Sequence, residues 1–137
     1  MKVFKFGGAS IKDASSIKNI LKIISSYNDD KLIIVVSAMG KTTNALEIVV
    51  DNYFNNKPEL QSSILDVFNF HSEIMVDLFK KNDPVFFEIS KLFEKLKSFI
   101  KSNKSPSYSF VYDQIVSVGE LISSNIIHHF LLNNNNN

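Results

Sequence analysis

A chain of 137 residues is long enough for one domain with a real core, and its 45% hydrophobic and 21% charged content is ordinary globular usage. A formal charge of +1 gives no electrostatic case for nucleic acid or an anionic membrane, and zero cysteines exclude a disulfide framework and any thiolate metal site. The opening residues lack the apolar core of a signal peptide and no apolar run approaches the length needed to span a bilayer, so the cytoplasm is the expected compartment.

Lys2 to Phe6 alternates polar and apolar residues and reads as a strand, which Gly7 and Gly8 interrupt. From Asp13 to Tyr27, the residues Ile17, Ile20, Leu21 and Ile24 recur at i, i+3, i+4 and i+7, the stripe of an amphipathic helix. Asn28-Asp29-Asp30 reads as a turn, and Leu32 to Val36 as a nearly all-apolar strand of the kind buried inside a parallel sheet. This strand–helix–strand order predicts one βαβ unit with a right-handed crossover. Thr42 or Thr43 is expected to cap the next helix, whose apolar face is Leu46, Val49, Val50, Tyr53 and Phe54.

Pro58 is expected to open a long helix with Leu60, Ile64, Val67, Phe68, His71, Met75 and Leu78 on one stripe. Asp83-Pro84 is a capping residue followed by a favoured first-turn proline, starting a helix that carries Phe86, Ile89, Leu92, Phe93, Leu96, Phe99 and Ile100. The short connection at Lys81-Asn82-Asp83 predicts that these two helices form an antiparallel hairpin. Ser105-Pro106 repeats the cap-plus-proline signal before a last helix, Ser107 to Leu132, faced by Val111, Ile115, Val118, Ile122 and Ile126. No internal repeat or linker divides residues 1–132, and Asn133 to Asn137 form a tail with nothing apolar to bury, either disordered by nature or an artefact.

The chemistry lies where the strands end. Paired glycines after a strand let backbone N–H groups approach a phosphate with no side chain in the way. Lys5 sits just before them, near the same point, and Ser37 to Asn44 opens from the second strand as a loop rich in hydroxyls. Open α/β sheets build phosphate sites in this way, from strands that deliver Gly, Lys, Ser and Thr at their carboxyl ends. Gly40-Lys41-Thr42 matches the end of a Walker A loop, but that motif needs a glycine where Val35 stands, so Lys41 is read as a solvated loop lysine.

Lys5-Phe6-Gly7-Gly8-Ala9-Ser10 resembles the opening K-[FY]-G-G-[TS]-S of the aspartokinases, in the amino-acid kinase superfamily. Ser37-Ala38-Met39-Gly40-Lys41-Thr42-Thr43-Asn44 resembles their second loop, and Asp113 to Ser123 their D-x-x-x-S-x-G-E-x-x-S helix. The motifs occur in the family's order across nearly the whole chain, and Ala9 is a small-for-small departure from the usual Thr. The resemblance implies an α/β fold of the amino-acid kinase (carbamate kinase-like) type, a three-layer α/β/α arrangement seen here as an amino-terminal portion with few parallel strands and about five helices. It implies a longer parent, a homo-oligomer when intact, whose remaining sequence supplies the rest of the active site; the 137-residue chain alone is then expected to be inactive.

The implied reaction transfers the γ-phosphoryl of ATP to the side-chain carboxylate of aspartate, the first step of the aspartate-family amino-acid pathway leading to lysine and threonine. A carboxylate is already ionised at neutral pH and needs no general base. The obstacle is bringing one anion up to another, which calls for positive charge, fixed N–H dipoles and alignment. The resemblance assigns Lys5 to the moving phosphoryl group as the catalytic cation, and Gly7, Gly8 and Ser37 with it to the ATP phosphates. Thr43 is assigned to aspartate, and Glu120 to its α-ammonium group.

Read without the resemblance, Lys5 is a solvated strand-end lysine, the glycines a tight turn and Thr43 a helix cap. Gly119 suggests close backbone approach, since glycine inside a helix costs roughly 1 kcal/mol against alanine. Ser117, Ser123 and Ser124 are expected to pack or bond within the last helix, and His71 to be a packed or rim histidine. His128 and His129, adjacent on a helix, point about 100° apart and cannot chelate one ion, so Mg2+ is expected to arrive with ATP. Two other readings compete: another amino-acid kinase, acting on glutamate, acetylglutamate or a nucleotide, and a non-enzymatic helical module binding a partner through the Phe-rich helices.

Overall fold

The computed structural model describes residues 1–27 and 31–134. The expected turn at Asn28-Asp29-Asp30 and the last three asparagines lie outside the described residues. Strands β1 (Lys2–Phe6) and β2 (Leu32–Val36) pair in parallel, joined through a short 3-10 turn (Gly8–Ile11) and helix α1 (Ala14–Ser25). Helices α2 (Thr42–Phe54), α3 (Leu60–Leu78), α4 (Pro84–Ser102), α5 (Tyr108–Val116) and α6 (Val118–Asn134) follow.

Helix α1 begins where Asp13 accepts hydrogen bonds from the Ser16 hydroxyl and backbone N–H, each at 2.7 Å. The hydroxyl bond, then the backbone bond, hold the Asp13 carboxyl below its ordinary pKa. Its apolar stripe places Ile17 and Ile20 in the core with almost no exposure, each such side chain contributing about 1.5–3 kcal/mol. The α3–α4 hairpin is present, with Phe68 and Phe93 meeting edge to face at 5.1 Å. Asp83 caps α4 through the Val85 N–H. α2 packs against α3 and α5, and α4 against α6, around a single continuous core.

Several expected boundaries shift. α3 begins at Leu60, because Pro58 and Glu59 form a turn without a side-chain cap. The cap before α5 is Ser107, whose hydroxyl accepts from the Phe110 N–H, while Ser105 is engaged with Asn103. The last helix has a local irregularity at Ser117, between α5 and α6. Ser117 keeps helical dihedrals, its N–H bonds to the Asp113 carbonyl and the Leu121 N–H to its own carbonyl, so the two segments continue one another as the expected last helix. The second of them carries on into the asparagine run, where Asn133 donates to Asp83 at 2.7 Å and Asn134 to the Phe130 carbonyl.

Contrary to the reading of its hydropathy, Tyr108–Asn134 is long and apolar enough to cross a membrane by length and composition, with half of that window buried inside the protein. Its apolar residues serve the core: Val111, Ile115, Ile122 and Ile126 have no exposure. β2 also departs from the expectation of burial on both faces. Phe4, Phe6, Ile34 and Val36 turn toward the helices, whereas Val3, Ile33 and Val35 are 60%, 46% and 41% exposed, because the described helices cover one face of the sheet.

Candidate active site

The parallel register pairs Lys5 with Val35 and Phe6 with Val36, so both strands release their chains at the same level. Two backbone hydrogen bonds join the loops that follow. The Ser37 N–H donates to the Phe6 carbonyl at 3.1 Å, and the Gly40 N–H to the Gly8 carbonyl at 3.0 Å. A methyl group at Gly8 would lie 2.7 Å from the Ala38 carbonyl oxygen and 2.9 Å from that of Gly40, so only hydrogen fits there. Gly40 itself has φ +53°, the left-handed region that favours glycine.

Gly7 is different. Its φ of −74° and ψ of 167° suit any residue, and nothing lies within 4 Å of where a Cβ would stand. Neither packing nor backbone conformation requires glycine at this position. What the glycine leaves is a bare backbone facing open space beside the strand ends, the arrangement a phosphate needs for close approach. Lys5 is exposed on the opposite face of β1 from Phe6 and has no ion-pair partner among the described residues.

The second loop leads into α2, but neither expected threonine caps it. Lys41 holds the capping position without a side-chain bond. Thr42, in the first turn, is buried and its Oγ1 lies 3.3 Å from Nε2 of His71 on α3. The physical reason is the stronger demand of the buried ring: His71 has no exposure, and its Nδ1 lies 2.7 Å from the Val67 carbonyl. Burial pushes the His71 pKa down, partly opposed by the Val67 bond, so the ring is neutral near pH 7. A carbonyl only accepts, so Nδ1 carries the proton, Nε2 is the acceptor, and the Thr42 hydroxyl donates to it. Thr43, the next residue, is half-buried, and its hydroxyl has no hydrogen-bond partner among the described residues.

The first turn of α6 completes the cluster. A methyl at Gly119 would lie 2.9 Å from Cβ of Ala38, 3.2 Å from Cδ1 of Leu46 and 3.3 Å from Cγ2 of Thr42. Gly119 therefore lets α6 rest directly on the β2–α2 loop, as its place inside a helical pattern suggested. Glu120 follows, exposed at the start of α6. Ser123 is buried and donates to the Glu120 carbonyl at 3.1 Å.

The fold thus gathers Gly7, Gly8, Ser37, Thr43 and Glu120 around one end of the sheet, with Lys5 just before the first loop. Thr43 and Glu120 are related through Thr42 and Gly119, the residues before them, rather than by a hydrogen bond of their own. Sequence reasoning left His71 as a packed or rim histidine; the structure buries it fully and gives it a bond to Thr42 that the sequence did not indicate. A histidine on an apolar stripe announces that some polar partner exists; which one depends on how α2 and α3 pack. No three His, Asp or Glu side chains cluster to hold a metal ion among the described residues.

The Amino acid kinase family profile matches residues 1–136, and the chain belongs to that family. Similar proteins within it include aspartokinases. Aspartokinase 1, chloroplastic, of Arabidopsis thaliana is 28% identical over 133 residues, which is 94% of this chain and 23% of the relative. Aspartokinase 2, chloroplastic, of the same plant is 50% identical over 44 residues, 32% of this chain and 8% of the relative. Among solved structures, E. coli aspartokinase III in complex with aspartate and ADP aligns with a TM-score of 0.81 and 25% identity, over 97% of this chain and 29% of that one. Its complex with lysine and aspartate gives a TM-score of 0.82. The chain spans less than a third of the length of these relatives, and its likeness is to an aspartokinase amino-terminal segment.

Proposed function

We propose that this chain forms the phosphate- and substrate-holding part of an aspartate kinase, which moves the γ-phosphoryl of ATP to the side-chain carboxylate of aspartate. The observation that carries this reading is the joined pair of loops, Gly7-Gly8 and Ser37–Thr43, with the α6 start seated on them through Gly119. The aspartate and ADP named in the bacterial neighbour's complex support the same ligands here.

In this reading the attacking oxygen is already anionic, and the protein's work is to lower the repulsion between two anions. Lys5 brings a full positive charge to the transferred phosphoryl group. The backbone at Gly7 and Gly8 and the Ser37 hydroxyl hold the nucleotide phosphates. Thr43 holds the amino-acid substrate, and the Glu120 carboxylate pairs with its α-ammonium. Mg2+ would arrive with the nucleotide rather than be held by a cage of this chain's side chains, none of which is found among the described residues.

The test is acyl-phosphate formation, trapped with hydroxylamine, using aspartate, glutamate and acetylglutamate in turn. It is run on the 137-residue chain and on the complete natural protein that carries these residues. The expected result is turnover of aspartate by the complete protein and none by the 137-residue chain alone. A complete protein that prefers glutamate or acetylglutamate, or robust turnover by the short chain, overturns the reading.

A further inference from the structure

We propose that His71, remote from the ligands in the reading above, is a positioning residue for the amino-acid substrate. It acts by accepting the Thr42 hydroxyl bond and so setting where Thr43 and Glu120 stand. The inference rests on that reading and adds a residue to it.

The argument starts from the ring. His71 is buried between Val67, whose carbonyl accepts the Nδ1 hydrogen bond at 2.7 Å, and Thr42, whose hydroxyl reaches Nε2 at 3.3 Å. Phe70 stands edge to face against it at 5.0 Å, so the ring has little freedom to turn. Thr42 is held from the other side as well. Its Cγ2 lies close to Gly119, at the contact that seats α6 on the loop. One threonine is therefore clamped between a ring on α3 and the backbone of α6, using its hydroxyl for the first and its methyl for the second. The residues that follow the two clamped positions are Thr43 and Glu120. Loss of the hydroxyl contact frees the start of α2 to shift against α6, and a substrate held by both Thr43 and Glu120 meets a blurred site. In that reading the nucleotide phosphates are assigned to the Gly7-Gly8 backbone and Ser37, none of which hydrogen-bonds to the Thr42 hydroxyl or the His71 ring among the described residues.

Conservative substitutions separate the two bonds of the ring. His71→Asn puts an amide N–H near the Nδ1 position, keeping a donor for Val67 but removing the acceptor for Thr42. His71→Gln reaches farther and puts an amide oxygen near the Nε2 position. Thr42→Val keeps the methyl against Gly119 and removes the hydroxyl. In the complete natural protein, His71→Asn and Thr42→Val should each raise the KM for aspartate about tenfold, within the range by which residues that touch no ligand alter binding. The KM for ATP should move less than about twofold, His71→Gln should restore most of the aspartate KM, and the His71→Asn/Thr42→Val pair should cost no more than either alone.

A wild type that does not phosphorylate aspartate overturns the underlying reading, and this proposal with it. An active wild type whose folded variants keep the aspartate KM, or lose ATP and aspartate affinity alike, overturns the role of His71 only. Should the variants fail to fold, the imidazole nitrogen shifts of the wild-type 137-residue chain decide instead. A neutral ring protonated at Nδ1 is expected, and a ring protonated at Nε2 or on both nitrogens near pH 7 removes the acceptor and the proposal.

Discussion

The Cβ of Ala38 lies 2.9 Å from the point a methyl on Gly119 would occupy, so the β2–α2 loop and the start of α6 touch where only a hydrogen fits. Alanine normally improves a helix over glycine by roughly 1 kcal/mol. Here the neighbour is a short, rigid side chain on a buried loop, and the sign should reverse. Gly119→Ala is expected to lower stability by about 1–3 kcal/mol, the usual cost of overpacking. Urea unfolding of the variant measures it, and an unchanged or higher midpoint would show that the two segments part freely.

The two glycines of the first loop should behave oppositely. Gly8→Ala drives a methyl into two backbone carbonyls and should destabilise the chain, whereas Gly7→Ala meets open space. Removing glycine freedom from the unfolded chain is worth about 0.4–1 kcal/mol where the native backbone tolerates it, so Gly7→Ala should hold or raise stability. If Gly7 lies under the nucleotide phosphates, the same variant should weaken ADP binding. Titration calorimetry beside thermal melts reads both, and a stable variant with undiminished affinity would remove Gly7 from the site.

Lys5→Ala in the complete natural protein should lower kcat on the order of 10²–10³-fold while changing the KM for aspartate little, since a charge that meets the moving phosphoryl acts in the transition state. Steady-state kinetics decide this. A near-normal kcat would make Lys5 a surface lysine.

Glu120→Gln keeps the shape of the side chain and removes its charge. Charge-assisted hydrogen bonds contribute about 1.5–3 kcal/mol against about 1 for neutral ones, so aspartate should bind more weakly while ATP affinity scarcely moves. Glu120 is exposed, which leaves stability nearly untouched. An unaltered Kd for aspartate would take Glu120 out of the site.

His71 makes stability depend on pH with a defined sign. Val67, Phe70 and Thr42 surround the ring, and the charged groups nearby, Lys41 and Asp66, line a 220 Å³ cavity beside Thr42. Burial lowers the folded pKa below the unfolded value of about 6.5, so the unfolded chain takes up the proton first. The contribution is fully present above about pH 6.5 and is lost as the pH falls through the folded value. Urea midpoints compared between about pH 7.5 and 5 should fall more for the wild type than for His71→Gln. Equal falls would remove His71 as the source of the pH dependence.

The stripes of α1, α3 and α4 were legible because each repeats a helical period, and Asp83-Pro84 marked a true start. The irregularity at Ser117 was not. The stripe Val111, Ile115, Val118, Ile122 and Ile126 runs through it at helical spacing, and serine is no breaker. Thr42 shows the same limit at the site. Its sequence context offered a cap, while its hydroxyl went to a ring 29 positions away. Local pattern marked the two loops at the strand ends, and packing alone decided which threonine stayed available.

The in-register pairing of β1 with β2 also bears on when the site is made. Val3 and Lys5 face one side and Phe4 and Phe6 the other, so a slip of a single residue would turn Lys5 inward and carry its loop about 3.3 Å along the sheet. Such a slip would bury an ammonium group and expose two phenylalanines, which makes it strongly unfavourable. The spacing between the two loops is consequently settled when the strands pair, ahead of any ligand. The ordering cost of that alignment falls on folding, so on the proposed reading a nucleotide's phosphates would meet a preorganised cradle.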